Sequence, residues 1–235
     1  MAQQVDNGTS KPFDMAYRGH FATLKALINQ NSLLITQTDE NCRMLLHWAA
    51  LGGHDELVDY LLLADAPVDA VDDMGMTPLI LAASAGRHNV VNTLLKNGAN
   101  INAKTWEGHS ALQYAASKNW KLICTNLLAK GADVNIADIR GATPLHRAVS
   151  KGNINIVKLL LTVENLIIDQ QDFYGNTALH LACEENRLDE AKLLISSNAV
   201  LTIRNKEKKI PLDLCNRTLF KQLLQVPQCN KTECE

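Results

Sequence analysis

Apolar residues occur along the chain in short blocks whose spacing predicts helices of two or three turns. Leucine pairs recur, each a few positions after another apolar residue, at Leu61-Leu62, Leu94-Leu95 and Leu127-Leu128. This spacing places them on one face of a helix. Before each such block lies a stretch rich in small residues, such as Ala82-Ala83, which predicts a slim helix that neighbours can approach closely. The pattern therefore predicts pairs of short helices.

These helix pairs recur with a fixed period. Equivalent leucines stand at positions 46, 79, 112, 145, 179 and 212, so that the spacing is 33 residues four times and 34 once. The clearest units carry an Asp, a Gly three positions later and a Thr-Pro step, as in Asp72, Gly75 and Thr77-Pro78, and this step suits the start of a helix. Gly98 and Gly131 fall where the second helix ends, a position that favours left-handed backbone. The extra residue, near Val163 to Ile168, is expected to perturb only the following loop.

This recurring pattern of residues resembles that of the ankyrin family. The resemblance implies an all-α ankyrin-repeat solenoid of about seven helix-turn-helix repeats with β-hairpin fingers, in which each repeat supplies core to its neighbours. The expected organisation is a disordered N-terminus at 1–4, an ankyrin-repeat domain at 5–226 and a disordered tail at 227–235. Within the domain we expect an N-terminal cap at 5–38, repeats beginning at 39, 72, 105, 138 and 172, and a C-terminal cap at 205–226.

Charge and composition indicate which classes of partner and which compartment to expect. The net charge of −2, from 23 basic and 25 acidic residues, is too small to hold a phosphate backbone, so no nucleic acid partner is expected. No stretch approaches the roughly 20 apolar residues of a membrane span, and the polar N-terminus lacks a signal peptide, so no membrane partner is expected either. The six cysteines form no C-x-x-C pair, which indicates a reducing compartment. We expect a monomer in the cytoplasm and nucleus.

The histidines predict architecture and no catalysis. His47, His146 and His180 occupy one recurring position, and a residue repeated in this way is expected to make structural hydrogen bonds between adjacent repeats. The other histidines are scattered, and none pairs with cysteine at zinc-finger spacing. Phosphate-binding and nucleophile-elbow motifs are absent from the sequence. We therefore expect no enzyme activity, no cofactor and no metal.

The ankyrin resemblance also implies where a partner binds, because finger tips and the exposed edges of first helices line a concave groove in that family. The positions concerned carry charges of both signs, which suits the surface of a helical protein. Trp106, Phe173 and Tyr174, on the predicted finger tips, either anchor a partner or pack against adjacent fingers, and both alternatives remain open. The predicted partner-binding residues are Glu40, Asn41, Arg43, Asp73, Met74, Met76, Trp106, Glu107, His109, Lys118, Arg140, Lys151, Phe173, Tyr174, Glu184 and Glu185.

Longer stretches resemble the gankyrin family over almost the whole chain: Leu46-His47-Trp48-Ala49, residues 179–187 and Asn205-Lys206-Glu207. That resemblance implies an assembly chaperone of the 26S proteasome regulatory particle, which holds the C-terminal domain of one proteasomal ATPase subunit in its groove. Arg43 and Lys118 match basic contacts of the family, and Asp73 matches an acidic one. Two positions depart from the pattern: Met76 stands where the family has tryptophan, and Asn41 where it has an acid.

Other functions are compatible with the same predicted fold. The main alternative is an ankyrin-type regulator of a cyclin-dependent kinase, which would use the same groove. Residues 181–185 match L-x-C-x-E, which resembles a motif that binds retinoblastoma-type proteins. The segment lies on a predicted first helix, where Ala182 and Cys183 take small-residue positions, so a structural role is favoured. A cytoskeletal or membrane adaptor ranks lower, because no flanking domain or basic amphipathic segment is present.

Overall fold

The computed structural model describes residues 10–225, which form two compact units. The first unit ends at Trp106 and the second begins at Glu107. The first unit contains α1 (Ser10–Arg18), α2 (Phe21–Gln30), α3 (Leu45–Gly52), α4 (Asp55–Leu63), α5 (Pro78–Ser84), α6 (His88–Lys96) and a 3-10 helix at Ser32–Ile35. The second contains α7 (Ala111–Ser117), α8 (Lys121–Ala129), α9 (Pro144–Ser150), α10 (Ile154–Leu160), α11 (Ala178–Glu184), α12 (Leu188–Ser196), a 3-10 helix at Pro211–Leu214 and α13 (Arg217–Leu223).

The ends of the helices follow the local chemistry of the repeat. Thr77 caps α5 by accepting the amide of Ile80 at 3.3 Å, and Pro78 follows at the first helical position, where no amide is needed. At the other end of the repeat, Gly98 has φ +83°. The amide of Ala99 then donates to the carbonyl of Leu94 at 3.1 Å, which closes the last turn of α6.

Within each unit, the first helices of successive repeats pack side by side. In the first unit α3 packs on both α1 and α5, and in the second α9 packs on both α7 and α11. Small side chains make this close approach possible, because pairs such as Ala82-Ala83 and Ala115-Ala116 are fully buried. The second helices cover them with larger residues, including the buried Leu61 of α4. The core is thus a series of similar interfaces between neighbouring repeats.

The predicted all-α repeat architecture is confirmed, but the β-hairpin fingers need a correction. No strand forms between residues 10 and 225, and the only β-bridge residues in this range are Lys104 and Ser110, on either side of the finger at 105–109. Each finger, defined here as the five-residue turn that begins with the recurring Asp or its equivalent, is too short for a ladder. In the finger at 72–76 the amide of Asp72 donates to the carbonyl of Met76 at 3.1 Å, and that of Gly75 donates back to Asp72 at 2.9 Å. Two backbone bonds therefore close a tight turn.

The inserted residue of the fifth repeat alters the end of α10. This helix has seven residues, whereas α4, α6, α8 and α12 each have nine. The amide of Thr162 bonds to the carbonyl of Leu159 at 3.2 Å, and residues 161–170 contain no left-handed backbone. The expected disordered segments at 1–4 and 227–235, and both ends of the predicted domain at 5–226, lie outside the described residues.

Candidate partner-binding site

In most fingers the first residue, usually Asp, accepts hydrogen bonds from two backbone amides of the same turn. One carboxylate oxygen of Asp72 accepts the amides of Met74 at 2.9 Å and Met76 at 2.8 Å. This local bonding of an acidic side chain to the amides that follow is typical of turns. The same pair of bonds recurs at Asp39, Asp138, Asp172 and Asn205. The tips are therefore held in one conformation without a strand.

A single backbone hydrogen bond joins each finger to the next within a unit. In the first unit the amide of Asp73 donates to the carbonyl of Asn41 at 3.0 Å. Equivalent bonds of 2.7–3.1 Å join Trp106 to Met74, Ile139 to Glu107, Phe173 to Arg140 and Lys206 to Tyr174. These bonds place tip side chains of neighbouring repeats next to one another. Each unit thus presents a fixed row of side chains at its finger tips.

The first unit exposes apolar and acidic side chains at its tips. Met74 is 57% exposed and Trp106 is 66% exposed, and Glu40, Asn41 and Asp73 are also exposed. The indole N–H of Trp106 donates to the carbonyl of Asp73 at 3.0 Å. A Cβ on Gly75 would lie 2.8 Å from Cδ2 of this indole, so the ring packs against the adjacent finger. Trp106 therefore combines both alternatives, because part of the ring packs and most of its surface stays accessible.

Two predicted contacts of the first unit turn inward. Met76, one of the predicted partner contacts, is only 7% exposed, because the fifth finger residue leads directly into α5, so little of its side chain is open to a partner. Arg43 is half-buried. Its Nε donates to Asp72 at 2.9 Å, and its guanidinium lies 5.1 Å from the ring centroid of Trp48. Arg43 thus already has partners within its own unit.

The second unit exposes an aromatic pair flanked by charges. Phe173 is 62% exposed and Tyr174 is 57% exposed, and their rings meet edge to face with centroids 5.6 Å apart. The ammonium of Lys206 lies 3.9 Å above the ring of Phe173. The other exposed predicted contacts of this unit are Glu107, Lys118, Arg140, Lys151, Glu184 and Glu185. One of them, Glu185, accepts the hydroxyl of Ser150 at 2.7 Å.

His109 is half-buried and belongs to an internal cluster. Its ring meets that of Tyr114 edge to face at 5.5 Å, and its Nε2 lies 3.0 Å from a guanidinium nitrogen of Arg147. The same nitrogen of Arg147 bonds to the buried carboxylate of Asp138. Burial alone would raise the pKa of Asp138, but the hydrogen bonds from Arg147 and backbone amides outweigh it, so the pKa is lowered. Only part of the His109 surface is open to a partner.

The three recurring histidines link adjacent repeats. Nδ1 of His146 accepts the amide of Thr143 at 3.2 Å, and Nε2 lies 3.1 Å from the carbonyl of Asn176 in the next finger. His47 makes the same pair of bonds, to the amide of Met44 and the carbonyl of Ala70. His180 makes them to the amide of Thr177 and the carbonyl of Lys209. Burial lowers the pKa of all three imidazoles. Each is therefore neutral, with its proton on Nε2 and its lone pair on Nδ1.

Sequence reasoning missed that Gln113 performs the same task in the fourth repeat. Its side-chain oxygen accepts the amide of Ser110 at 2.9 Å, and its side-chain nitrogen donates to the carbonyl of Ala142 at 2.7 Å. The carboxamide thus reproduces both bonds of a neutral imidazole. The signal was its place in the repeat, since Gln113 occupies the position of His146 one period earlier.

The L-x-C-x-E segment is not presented as an extended peptide. Residues 181–185 begin on α11, which runs to Glu184. Cys183 is fully buried, and burial raises the pKa of its thiol. In this fold the second unit buries the cysteine, so a retinoblastoma-type protein cannot contact it.

An open cleft in the first unit is a further feature that the sequence analysis did not anticipate. Aromatic side chains of Phe13, Tyr17 and Trp48 line it. The signal was present, because Phe13 and Tyr17 are four residues apart and so share one face of α1. Between Ser10 and Gln225, no helix has the length and apolar composition to cross a bilayer. In the same part of the chain, no three His, Cys, Asp or Glu side chains group as metal ligands.

One known relative is similar to part of this chain. The human protein "26S proteasome non-ATPase regulatory subunit 10" is 45% identical over 65 residues. That stretch covers 28% of this chain and 29% of the relative, so the chain matches less than a third of the relative's length. The nearly end-to-end resemblance expected from the motifs therefore has support over this stretch alone.

Solved ankyrin structures match over nearly all of the chain. The human ASB11 ankyrin repeat domain has a TM-score of 0.82 at 29% identity, covering 92% of this chain and 97% of that one. The ankyrin repeat domain of Bcl-3 also has a TM-score of 0.82, at 24% identity, with 93% and 100% covered, and it shows the fold alone. A family model described as "Ankyrin repeats (3 copies)" matches residues 13–105 and 112–205. The chain belongs to the ankyrin-repeat family.

Proposed function

We propose that this ankyrin-repeat scaffold acts as a chaperone in assembly of the 26S proteasome regulatory particle. In this proposal it holds the C-terminal domain of a proteasomal ATPase subunit on its finger tips and first helices. The similarity to a non-ATPase regulatory subunit of the proteasome supports this choice of partner. We further propose that the chain works as a monomer in the cytoplasm and nucleus, without catalytic activity or cofactor.

The observation that carries the proposal is the set of exposed apolar tips on a rigid backbone. Trp106 and Phe173 are each more than half exposed, although core packing does not require a large side chain there. Aromatic residues of this kind are frequent anchors in protein interfaces. Because hydrogen bonds between fingers already fix the backbone, little conformational entropy is lost on binding.

The charges around the aromatic side chains favour a protein partner whose surface carries both acidic and basic groups. Glu107 and Glu184 are exposed on the second unit together with Lys118 and Lys151. A helical domain with alternating charges complements such a surface, whereas a polyanion would be repelled by the carboxylates. The exposed Asp73 and Glu40 contribute acidic positions on the first unit.

The test is a calorimetric titration of the full chain with purified C-terminal domains of proteasomal ATPases, one at a time. We expect one domain to bind, and Trp106→Ala to weaken it by ~2 kcal/mol, or roughly thirtyfold. Leu63→Ala is the matched control, because Leu63 is a 76% exposed apolar residue at the end of α4, which is a second helix of the same unit. Lys118→Glu should also weaken binding, and Lys130→Glu, at the end of α8, should not.

Two results would contradict the proposal. In the first, none of the ATPase domains binds while a cyclin-dependent kinase does. In the second, Trp106→Ala binds as tightly as Leu63→Ala. Thermal unfolding of each variant separates folding from binding, and Trp106→Ala should lose no more than about 1 kcal/mol of stability because most of the ring is exposed.

A further inference from the structure

The first unit contains an open cleft of about 620 Å³ beside α1 and the first finger. Three aromatic side chains line it, from Phe13, Tyr17 and Trp48. Three carboxylates also line it, from Asp14, Asp39 and Glu40, and its remaining lining residues are uncharged and polar. Of the lining residues that the structure describes, none is Lys, Arg or His. The cleft therefore combines aromatic walls with negative charge.

The negative charge is only partly neutralised from nearby. Asp14 pairs with Arg18 at 2.9 Å. Arg43 is bonded to Asp72, and neither Asp39 nor Glu40 forms an ion pair within residues 10–225. The charges of Asp39 and Glu40 are thus not neutralised by an ion pair in this part of the chain.

Hydrogen bonds hold one of these carboxylates in place. One oxygen of Asp39 accepts the indole N–H of Trp48 at 2.8 Å, and the other accepts the amides of Asn41 and Arg43, both at 2.9 Å. Glu40, the next residue, is exposed at the rim. A fixed carboxylate beside an exposed one can bind a charged group without prior rearrangement of the turn.

The aromatic walls select the kind of cation. The rings of Tyr17 and Trp48 meet at an interplanar angle of 83° with centroids 6.1 Å apart, and Tyr17 is 45% exposed. Aromatic faces attract cations through their quadrupole. A guanidinium can stack on such a face and donate two parallel hydrogen bonds to a carboxylate, which an ammonium cannot do. An uncharged apolar ligand would desolvate the carboxylates without compensation.

We infer that this cleft is a binding site for an arginine side chain of a protein partner, with the guanidinium near Glu40 and against the ring of Tyr17, beside Trp48, whose ring already contacts the guanidinium of Arg43. The inference deepens the proposed function and rests on it for the source of the arginine, since Glu40 and Asn41 belong to both the cleft and the finger-tip surface. The specificity for arginine is a property of the cleft itself and can be measured without that partner.

The experiment is a titration of the ¹⁵N-labelled full chain with N-acetyl-arginine amide, followed through the tryptophan indole signals. The chain has three tryptophans. We expect the Trp48 indole N–H to shift saturably, and those of Trp106 and Trp120 to stay unchanged as internal references. N-acetyl-citrulline amide has nearly the same shape without the charge and should cause no saturable shift. N-acetyl-lysine amide should bind more weakly than the arginine derivative.

Two variants test the residues assigned to the site. Glu40→Gln should weaken arginine binding about three- to fivefold, which is the effect of one exposed ion pair. Tyr17→Leu should weaken it about threefold through loss of one ring face. Glu56→Gln is the matched control, because it removes one exposed carboxylate from α4 of the same unit, outside the cleft.

The inference is overturned if citrulline shifts the Trp48 signal as arginine does, if lysine binds more tightly, or if Glu40→Gln and Glu56→Gln behave alike. Unchanged Trp106 and Trp120 signals in each variant show that the fold is intact. Because the titration uses a single amino-acid derivative, it fails or succeeds independently of the ATPase-domain measurement. Arginine binding without any ATPase partner would support the cleft and contradict the proposed function.

Discussion

Acid should destabilise this fold through the three histidines that join adjacent repeats. His47, His146 and His180 each use Nδ1 as an acceptor for a backbone amide at the start of a first helix. Protonation of Nδ1 would set one N–H against another and would place a charge in the buried interface. Gln113 makes the same two bonds with a carboxamide, which does not titrate. The chain therefore contains its own acid-insensitive counterpart.

The magnitude follows from proton linkage. In the unfolded chain a histidine has a pKa near 6.5, and burial lowers it in the folded state for all three residues. Below about pH 6.5 the unfolded chain thus binds more protons, and the free energy of unfolding falls by up to about 1.4 kcal/mol per pH unit for each histidine. Their stabilisation is complete above that pH and is lost as pH falls toward the lowered folded pKa. Three histidines give at most about 4 kcal/mol per unit, which is large against a typical total of about 5–15.

The substitution His146→Gln tests this reasoning. It should leave stability at about pH 8 within roughly 1 kcal/mol of the parent chain, because the carboxamide replaces both bonds, and it should reduce the pH slope by the share of one histidine. Urea unfolding followed by far-UV circular dichroism between about pH 8 and pH 5 measures the slope. His20→Gln, at an exposed position before α2, is the control. An unchanged slope in His146→Gln would refute the mechanism, as would an equal change in the control.

Two further predictions concern left-handed backbone. Gly98→Ala should lower the free energy of unfolding by about 1–2 kcal/mol through backbone strain alone, since a Cβ there meets no atom within 4 Å. Gly75→Ala should lower it further, because its Cβ would lie 2.8 Å from the backbone nitrogen of Trp106. Equal losses in urea unfolding would contradict this contrast. Lys208→Gly should raise thermal stability by about 0.5 kcal/mol, because Lys208 has φ +64° in the last finger, while Lys130→Gly, at φ −95°, should lower it. A loss in Lys208→Gly would show that its side chain stabilises the cap.

Most of the repeat could be predicted from the sequence because its signals are local and recur. Thr143-Pro144 marks the start of α9, and Gly131 marks the end of α8. The recurring histidines could be interpreted in the same way, since one position repeated at one period implies one structural task. Lys208 shows the limit of such signals, because the backbone keeps the left-handed turn of the finger after its glycine has been lost.

The side chains of the candidate site were harder to predict, because exposure depends on which way the backbone leads after the turn. Met74 and Met76 are two residues apart in one finger, and both amides bond to Asp72. The third finger position projects at the tip, whereas the fifth already faces the helix that follows, so only Met74 is exposed. The cleft beside α1 depends on still more distant relations, because Tyr17 and Trp48 meet only when the first two repeats stack. A repeat pattern thus predicts which positions vary, and packing between repeats decides which of them a partner can reach.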